Sequence, residues 1–197
     1  MTRTRKPKYC RAIIVCHGKS ELILFSRLKS ILRLPINVVG SGNGRSSVKI
    51  QGIERYFNRD EFNDKGEFCK KFFQEDYRNL HKSRKFQSLL NQLKIFVIMD
   101  IDDATSDQVT RYKSCEYFKS KWLKQCCVPI YNNPDLEKTI LKIGYEIPGS
   151  KHEKAPFYQR LWAKVLENEN DIEELQKKLA NCSCTNMDQV IRYLLNI

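Results

Sequence analysis

Apolar residues in this chain occur both as short continuous runs and as single positions that repeat at helical spacing. The continuous runs are only a few residues long, which is typical of strands buried on both faces of a parallel sheet. Leu22, Phe25 and Leu28 follow the first run at intervals of three and predict an amphipathic helix over 19–34, before Pro35. The predicted strands are 10–16, 36–42, 94–103 and 127–131.

Strands that alternate with helices predict an α/β fold, in which helices flank a central, mostly parallel sheet of about four strands, similar to a Rossmann fold. We expect an α/β domain over 1–150, with a helical insertion around 45–92, and a helical C-terminal extension over 151–197. Within the insertion, 58–67 is predicted as a loop and 68–93 as one long helix or two shorter ones.

Polar residues mark where two further helices begin. Thr105 or Ser106 can cap a helix whose apolar positions continue to Leu123. Asn133 is predicted to cap the helix after the fourth strand, with Pro134 at the first helical position.

Polar side chains also follow the first and third predicted strands, at the point where each strand ends. They are His17, Gly18 and Glu21 after the first strand, and Asp100, Asp102 and Asp103 after the third. Ligands of α/β sheets bind beyond the carboxyl ends of the strands, so these groups converge if the two strands are neighbours. Asp100 and Asp102 are two residues apart and would project from the same side of an extended strand. Clustered carboxylates repel unless protons or a cation intervene, which favours a divalent metal over the alternative that these acids only begin helices.

The formal net charge of +12 indicates a polyanionic partner. Residues 1–130 contain 26 Lys and Arg against 13 Asp and Glu, and this excess attracts RNA or DNA. The alternative is that the charge only keeps the protein soluble. Basic residues that could contact phosphates lie in the loop 41–47 and among aromatic residues between 70 and 86, where a solvated face is the alternative. The candidates are Arg45, Lys82, Arg84 and Lys85.

Cysteine spacing and the length of the apolar runs limit the cellular context. The eight cysteines include no Cys-x-x-Cys pair, so neither a zinc ribbon nor a thioredoxin-like motif is predicted. Reduced thiols are therefore expected. Every apolar run is shorter than the ~20 residues that a membrane span requires. We expect a cytoplasmic protein without a membrane partner.

Three stretches together carry a resemblance to a known family. They are "VCHGKSELILFSRL", which continues from the first strand, "IMDIDD", which ends the third, and "NNPDLEKTIL", which follows the fourth. The first two resemble the Toprim domain of topoisomerases, bacterial primases and OLD-class nucleases, and most of all small stand-alone proteins of the RloB and OLD type. The third is similar to an Asn-Pro-x-x-Glu segment of RloB-like proteins, which adds Asn133 and Glu137 to the candidate residues. The resemblance covers about 10–145.

The resemblance implies a metal-dependent nuclease that cuts RNA or DNA, with a role as a prokaryotic anti-phage defence effector. Carried over to this chain, Asp100 and Asp102 would hold Mg²⁺ or Mn²⁺. The backbone around Gly18 would approach a phosphate, and Lys19 would add a cation beside it.

One departure from the Toprim pattern concerns the acid/base residue, because His17 stands where the family has glutamate. His17 could transfer protons, since its reference pKa of about 6.5 suits neutral pH, or it could bind Mn²⁺. Glu21, one helical turn on, could supply the missing carboxylate. The alternative is a catalytically reduced Toprim subunit that binds nucleic acid and works with a partner ATPase. The sequence leaves the oligomeric state open.

Overall fold

The computed structural model describes residues 9–44, 46–80, 83–150 and 153–197. The strands are β1 Ala12–Cys16, β2 Ile36–Gly40, β3 Lys94–Asp100 and β4 Cys127–Asn132. The helices that surround them are α1 Lys19–Leu32, α2 Ile53–Phe57, α3 Asp60–Asn63, α4 Lys65–Leu80, α5 Arg84–Gln92, α6 Ser106–Lys113, α7 Lys121–Cys126, α8 Leu136–Lys142, α9 Lys154–Val165, α10 Glu169–Ala180 and α11 Asp188–Leu195. Two short 3₁₀ helices, Ser41–Gly44 and Ile50–Gly52, follow β2.

The described residues form one four-stranded parallel sheet in the order β2-β1-β3-β4. In β1, Val15 lies opposite Val39 of β2 and Val97 of β3. All of β1 is buried, as expected for a continuous apolar strand that is covered on both faces. The predicted α/β fold is confirmed, and β1 and β3 are neighbours. Their carboxyl ends therefore meet at one edge of the sheet.

Alternate residues of the strands pack into two hydrophobic cores, one on each face of the sheet. Ala12, Ile14 and Cys16 belong to the core that contains α1 and the C-terminal helices. Ile13 and Val15 belong to the other core, which is rich in phenylalanine from the segment between β2 and β3. Helices on both faces thus bury the sheet and leave its edges and strand ends for polar groups.

The C-terminal helices share the first core with the sheet. Trp162 of α9, Leu175 of α10 and Ile191 of α11 are fully buried there, together with Leu28 of α1. Burying each such side chain contributes about 1.5–3 kcal/mol. The segment that the sequence predicts as a C-terminal extension therefore packs directly against the α/β domain.

The third strand is shorter than predicted. β3 ends at Asp100, and residues 102–103 form a turn. The Ile101 N–H lies within hydrogen-bond distance of the carbonyls of both Asn132 (3.1 Å) and Pro134 (2.9 Å), so the backbone turns towards the end of β4. Side chains alternate between the two faces only along the strand, which ends before Asp102. The prediction that Asp100 and Asp102 project from the same side of an extended strand is therefore wrong.

Several predicted helix boundaries need correction. The helix expected from Thr105 to Leu123 is two helices, α6 and α7, and Cys115 between them has a positive φ of 62°. Thr105 does cap α6, as predicted. Asn133 does not cap α8, because Asp135 takes that position and accepts a hydrogen bond from the Lys138 N–H.

The segment between β2 and β3 is more helical than the sequence indicates. Residues 58–67, predicted as a loop, contain α3 and the first turn of α4. The predicted choice between one long helix and two shorter ones over 68–93 resolves into two, α4 and α5. The phenylalanines at this spacing form core, and Phe62 and Phe68 are almost fully buried.

The cysteines and the helix lengths relate to two predictions, that the thiols are reduced and that no segment spans a membrane. All eight cysteines are free thiols, and five of them are buried. A buried free cysteine behaves as a small apolar side chain. In the described ranges, no helix has the length and apolar character needed to cross a membrane.

Candidate functional site: an acidic cleft at the edge of the sheet

The end of β1 places two polar groups at the carboxyl edge of the sheet. His17 follows the last residue of the strand, and Gly18 then caps α1 in an extended conformation. The Gly18 N–H donates to Glu21 Oε2 at 3.0 Å, which turns the Glu21 carboxylate back towards the strand end. Glu21 is only 2% exposed. A charged group from the first turn of α1 therefore lies buried beside His17.

The end of β3 brings Asp100 to the same place. Asp100 is 7% exposed, and its Oδ1 accepts a hydrogen bond from Asn132 Nδ2 at 3.1 Å. Its other oxygen, Oδ2, lies 3.7 Å from His17 Nε2. That distance exceeds a hydrogen bond but is short enough for a strong charge interaction when the imidazole is protonated. The structure thus brings together His17, Glu21 and Asp100 from two separate stretches of the sequence.

These side chains line a cleft with a volume of about 290 Å³, which we call the acidic cleft. Its described lining is His17, Gly18, Lys19, Ser20, Glu21, Gly44, Ser47, Asp100, Glu137, Lys154 and Ala155. Glu137 comes from the first turn of α8, and Lys154 Nζ lies 2.6 Å from its Oε1. The described lining of the cleft therefore contains three carboxyl groups, one of which forms an ion pair with Lys154.

Burial makes Asp100 and Glu21 hold their protons unusually tightly. Burial, followed by the charge of Glu21, raises the pKa of Asp100 to about 8, although His17 and the Asn132 hydrogen bond oppose the shift. Burial also raises the pKa of Glu21 to about 7, with Glu137 adding to the shift while the Gly18 N–H and Lys154 oppose it. At neutral pH the cleft therefore needs a proton or an added cation to hold Glu21 and Asp100 together.

Two buried polar atoms beside this cluster lack a hydrogen-bond partner among the described residues: His17 Nδ1 and the Tyr158 hydroxyl. Burial, and next the charge of Glu137, raises the pKa of Tyr158, so this hydroxyl remains a proton donor. The other ring nitrogen of His17, Nε2, faces Asp100 Oδ2 at 3.7 Å.

Among the residues that the structure describes, no three His, Cys, Asp or Glu side chains are close enough to enclose a metal by themselves. Mg²⁺ usually takes only one or two protein carboxylates and completes its shell with waters and substrate phosphate oxygens. Asp100 and Glu21, which both line the cleft, supply that number of carboxylates, and a substrate phosphate would supply further oxygen ligands.

No family model matches this chain, and neither does any curated protein or solved structure. The resemblance of 10–145 to the Toprim domain therefore stays a prediction from its motifs. The roles of the cleft residues depend on their geometry and charge.

The other acids of the "DIDD" stretch lie outside the acidic cleft. Asp102 and Asp103 are exposed in the turn after β3. Asp103 Oδ2 forms an ion pair of 2.6 Å with Lys49 Nζ. Asp102 acts on the same lysine, since its charge contributes to the raised pKa of Lys49 after the hydrogen bond and charge of Asp103. The prediction that Asp102 binds the metal beside Asp100 thus has no geometric support in the described lining.

Some of the residues predicted to contact phosphates line the acidic cleft, and others do not. Gly18 and Lys19 line the acidic cleft, and Lys19 is exposed. Arg84 is exposed on α5 and is not among the described residues of the lining. Arg45, Lys82 and the side chain of Lys85 lie outside the described residues.

The two candidate residues after the fourth strand, Asn133 and Glu137, also differ in whether they reach the cleft. Glu137 lines the cleft, as described above. Asn133 is exposed, and its backbone N–H donates to the Cys184 carbonyl at 2.8 Å. The Asn-Pro-x-x-Glu segment therefore contributes its acid, and not its asparagine side chain, to the acidic cleft.

Sequence reasoning missed Asn132 and Lys154, whereas Ser47 belongs to the loop 41–47, which is predicted to contact phosphates. Asn132 had an available signal, because it ends β4, which neighbours β3, and the strand-end rule that selects Asp100 also selects it. Lys154 had none, because it reaches the cleft from a segment whose position depends on tertiary packing.

Proposed function

We propose that this protein is a metal-dependent nuclease that hydrolyses phosphodiester bonds. The observation that carries the proposal is the convergence of His17, Glu21 and Asp100 in one cleft at the carboxyl edge of the sheet. Two buried carboxyl groups whose charge a bound cation would offset, beside a histidine and a lysine, are the groups that phosphodiester hydrolysis uses.

Each cleft residue has a role that follows from its position. Asp100 and Glu21 would hold Mg²⁺ or Mn²⁺, which would neutralise the scissile phosphate and activate water. The N-terminus of α1, which Gly18 caps, and the exposed Lys19 would bind the phosphate. His17 Nε2, which faces Asp100, would accept or donate the proton.

The nature of the substrate follows from the charge of the protein. The net charge of +12 attracts nucleic acid to a surface that contains a locally acidic cleft. Such a combination suits a polyanion held by basic residues and a metal held by acids. The resemblance to RloB- and OLD-type Toprim nucleases supports the same activity and a role in anti-phage defence.

The test is cleavage of end-labelled single- and double-stranded RNA and DNA by the purified full chain, in EDTA, Mg²⁺ or Mn²⁺. We expect cleavage that requires the metal and is lost in Asp100→Asn. Asp107→Asn, at an exposed position on α6, is the matched control and should cleave like the wild type. Retained cleavage in His17→Ala would remove the imidazole from proton transfer. No cleavage under any condition, alongside retained binding, would overturn the proposal.

One observation favours a second candidate, a catalytically reduced subunit that binds nucleic acid and works with a partner ATPase. Lys154 already pairs with Glu137 at 2.6 Å, so a protein cation offsets part of the acidic charge. Together with protonation of Asp100, this pair could keep the cleft stable without a metal. Binding of nucleic acid that is independent of divalent metal would support this candidate.

A further inference from the structure

We infer that Asn132 and Thr185 are positioning residues that orient the Asp100 carboxylate towards the acidic cleft. The inference deepens the proposed function and rests on it where metal binding is concerned. Neither residue is among the described lining of the cleft, so both would act through Asp100.

Asn132 makes the direct contact with Asp100. The two residues are register partners at the ends of β4 and β3, and Asn132 is fully buried. Its Nδ2 donates to Asp100 Oδ1 at 3.1 Å, and the second oxygen, Oδ2, then faces His17. When Asp100 is ionised, an amide turned the other way would present its oxygen to the carboxylate, which would repel it. Which way the Asn132 amide points therefore decides whether Asp100 is held.

Thr185 sets that orientation. Its Oγ1 lies 2.9 Å from Asn132 Oδ1 and 2.8 Å from the Tyr131 carbonyl, and its single hydrogen can serve either acceptor. The same oxygen accepts a hydrogen bond from the Met187 N–H at 3.1 Å. When the threonine donates to Asn132, the oxygen of the Asn132 amide faces Thr185 and its NH₂ group faces Asp100.

Thr185 reaches this place because the segment before α11 extends the edge of the sheet. Thr185 forms an antiparallel bridge with Asn132, and the Cys184 carbonyl accepts from the Asn133 N–H. The side chain of Asn186 pairs with the outer edge of β4, where it accepts from the Tyr131 N–H at 2.8 Å and donates to the Pro129 carbonyl at 3.1 Å. A residue near the C-terminus thereby supports a carboxylate on the third strand.

The decisive variant is Thr185→Val, which keeps the shape of the side chain and removes the hydroxyl. Thr185→Ser restores the hydroxyl, and Thr139→Val makes the same change at another buried threonine, whose hydroxyl donates to the Asp135 carbonyl. One readout is the affinity for Mn²⁺ alone, measured by titration with the full chain. The other is hydrogen exchange of the Asn132 side-chain amide, measured by NMR with the exposed Asn133 as reference.

We expect Thr185→Val to weaken Mn²⁺ binding by about 10–100-fold, as loss of a group that orients a metal ligand does, and to speed exchange of the Asn132 amide. Thr185→Ser and Thr139→Val should resemble the wild type in both readouts. Equal effects in the two valine variants would overturn the inference, because they would show a loss of packing alone. Wild-type Asn132 that exchanges as fast as Asn133 would overturn it without any variant.

The two proposals fail in distinguishable ways. If the wild-type protein binds no Mn²⁺ and cuts no substrate, the proposed function is wrong, while amide exchange still tests the contact between Asn132 and Thr185. If the metal binds and Thr185→Val leaves both its affinity and the amide exchange unchanged, only the positioning role is wrong.

Discussion

The acidic cleft and the turn that follows β3 lie next to each other in the sequence, yet they treat their aspartates in opposite ways. Asp100, in the cleft, is buried, accepts a hydrogen bond from Asn132 and faces His17. Asp102 and Asp103, in the turn, are exposed beside Lys49, which forms an ion pair with Asp103. Water solvates the acids of the turn at little cost, whereas the protein must compensate the acid of the cleft.

The comparison shows that these aspartates differ in burial, although they are close together in the sequence. All three aspartates belong to one "DIDD" stretch, and the sequence alone predicts Asp100 and Asp102 as equivalent metal ligands. The backbone turns after Asp100 because the Ile101 N–H approaches carbonyls at the end of β4. Perturbed carboxyl groups in clefts are typical of functional sites, so Asp100 is the aspartate that we expect to act.

The largest expected difference between the two regions is in cleavage. Asp100→Asn should reduce metal-dependent cleavage by at least about 10²-fold, because it removes a charged group at the reacting phosphate. Asp102→Asn should retain most of the activity, since its side chain lies in the exposed turn. Rates with the same labelled substrate and Mn²⁺ concentration measure the contrast. Equal losses in the two variants would show that the turn belongs to the active site.

Asp100→Asn and Asp102→Asn should also differ in stability. Here Asp100→Asn, the variant that loses activity, is expected to be the more stable one. The raised pKa of Asp100 means that the folded protein binds this proton more tightly than the unfolded chain. This contribution to stability is therefore present at low pH and is lost as pH rises from about 4 to about 8. Asp100→Asn should raise the free energy of unfolding by about 2 kcal/mol at pH 8.5 and by little at pH 4.

Urea unfolding at several pH values measures this effect. Asp102→Asn is the control and should leave the free energy of unfolding unchanged within about 0.5 kcal/mol. A stability gain that did not depend on pH would mean that ionisation of Asp100 is not its cause.

A smaller effect is expected where the cleft has its own ion pair. Lys154→Met leaves Glu137 without its cation, and after allowance for solvent screening the cost should be about 1 kcal/mol or less. It should also raise the pKa of Glu21 above about 7, because Lys154 lowers it in the wild type. Lys119→Met, which breaks the exposed pair with Glu54, is the matched control. Thermal unfolding at neutral pH compares the two, and a larger loss in Lys119→Met would contradict the account.

The smallest effect is expected in the turn itself. Lys49→Ala removes the ion pair with Asp103, whose groups are both accessible to water. Exposed pairs contribute little to stability and are screened by salt, so we expect no measurable change in the unfolding midpoint. Measurements at low and high ionic strength check this. A marked loss at low salt would show that the turn is held more firmly than its exposure indicates.

The sequence allowed most of the sheet and half of the site to be predicted. The continuous apolar runs locate all four strands, and the strand-end rule selects His17, Glu21 and Asp100 before any coordinates are known. The sequence could not place Asp102, because the turn depends on the contacts of Ile101 with the end of β4. It also could not find Lys154, whose position depends on how α9 packs against α1.

The most direct test of the central claim is titration of the Asp100 and Glu21 carboxyl carbons by ¹³C NMR, with and without Mg²⁺. Without metal we predict midpoints of about 8 for Asp100 and about 7 for Glu21, assigned with Asp100→Asn and Glu21→Gln. Saturating Mg²⁺ should lower both midpoints, since a bound cation displaces protons from its ligands. Midpoints near ~4 for both groups, unchanged by Mg²⁺, would contradict a cleft built to hold a cation.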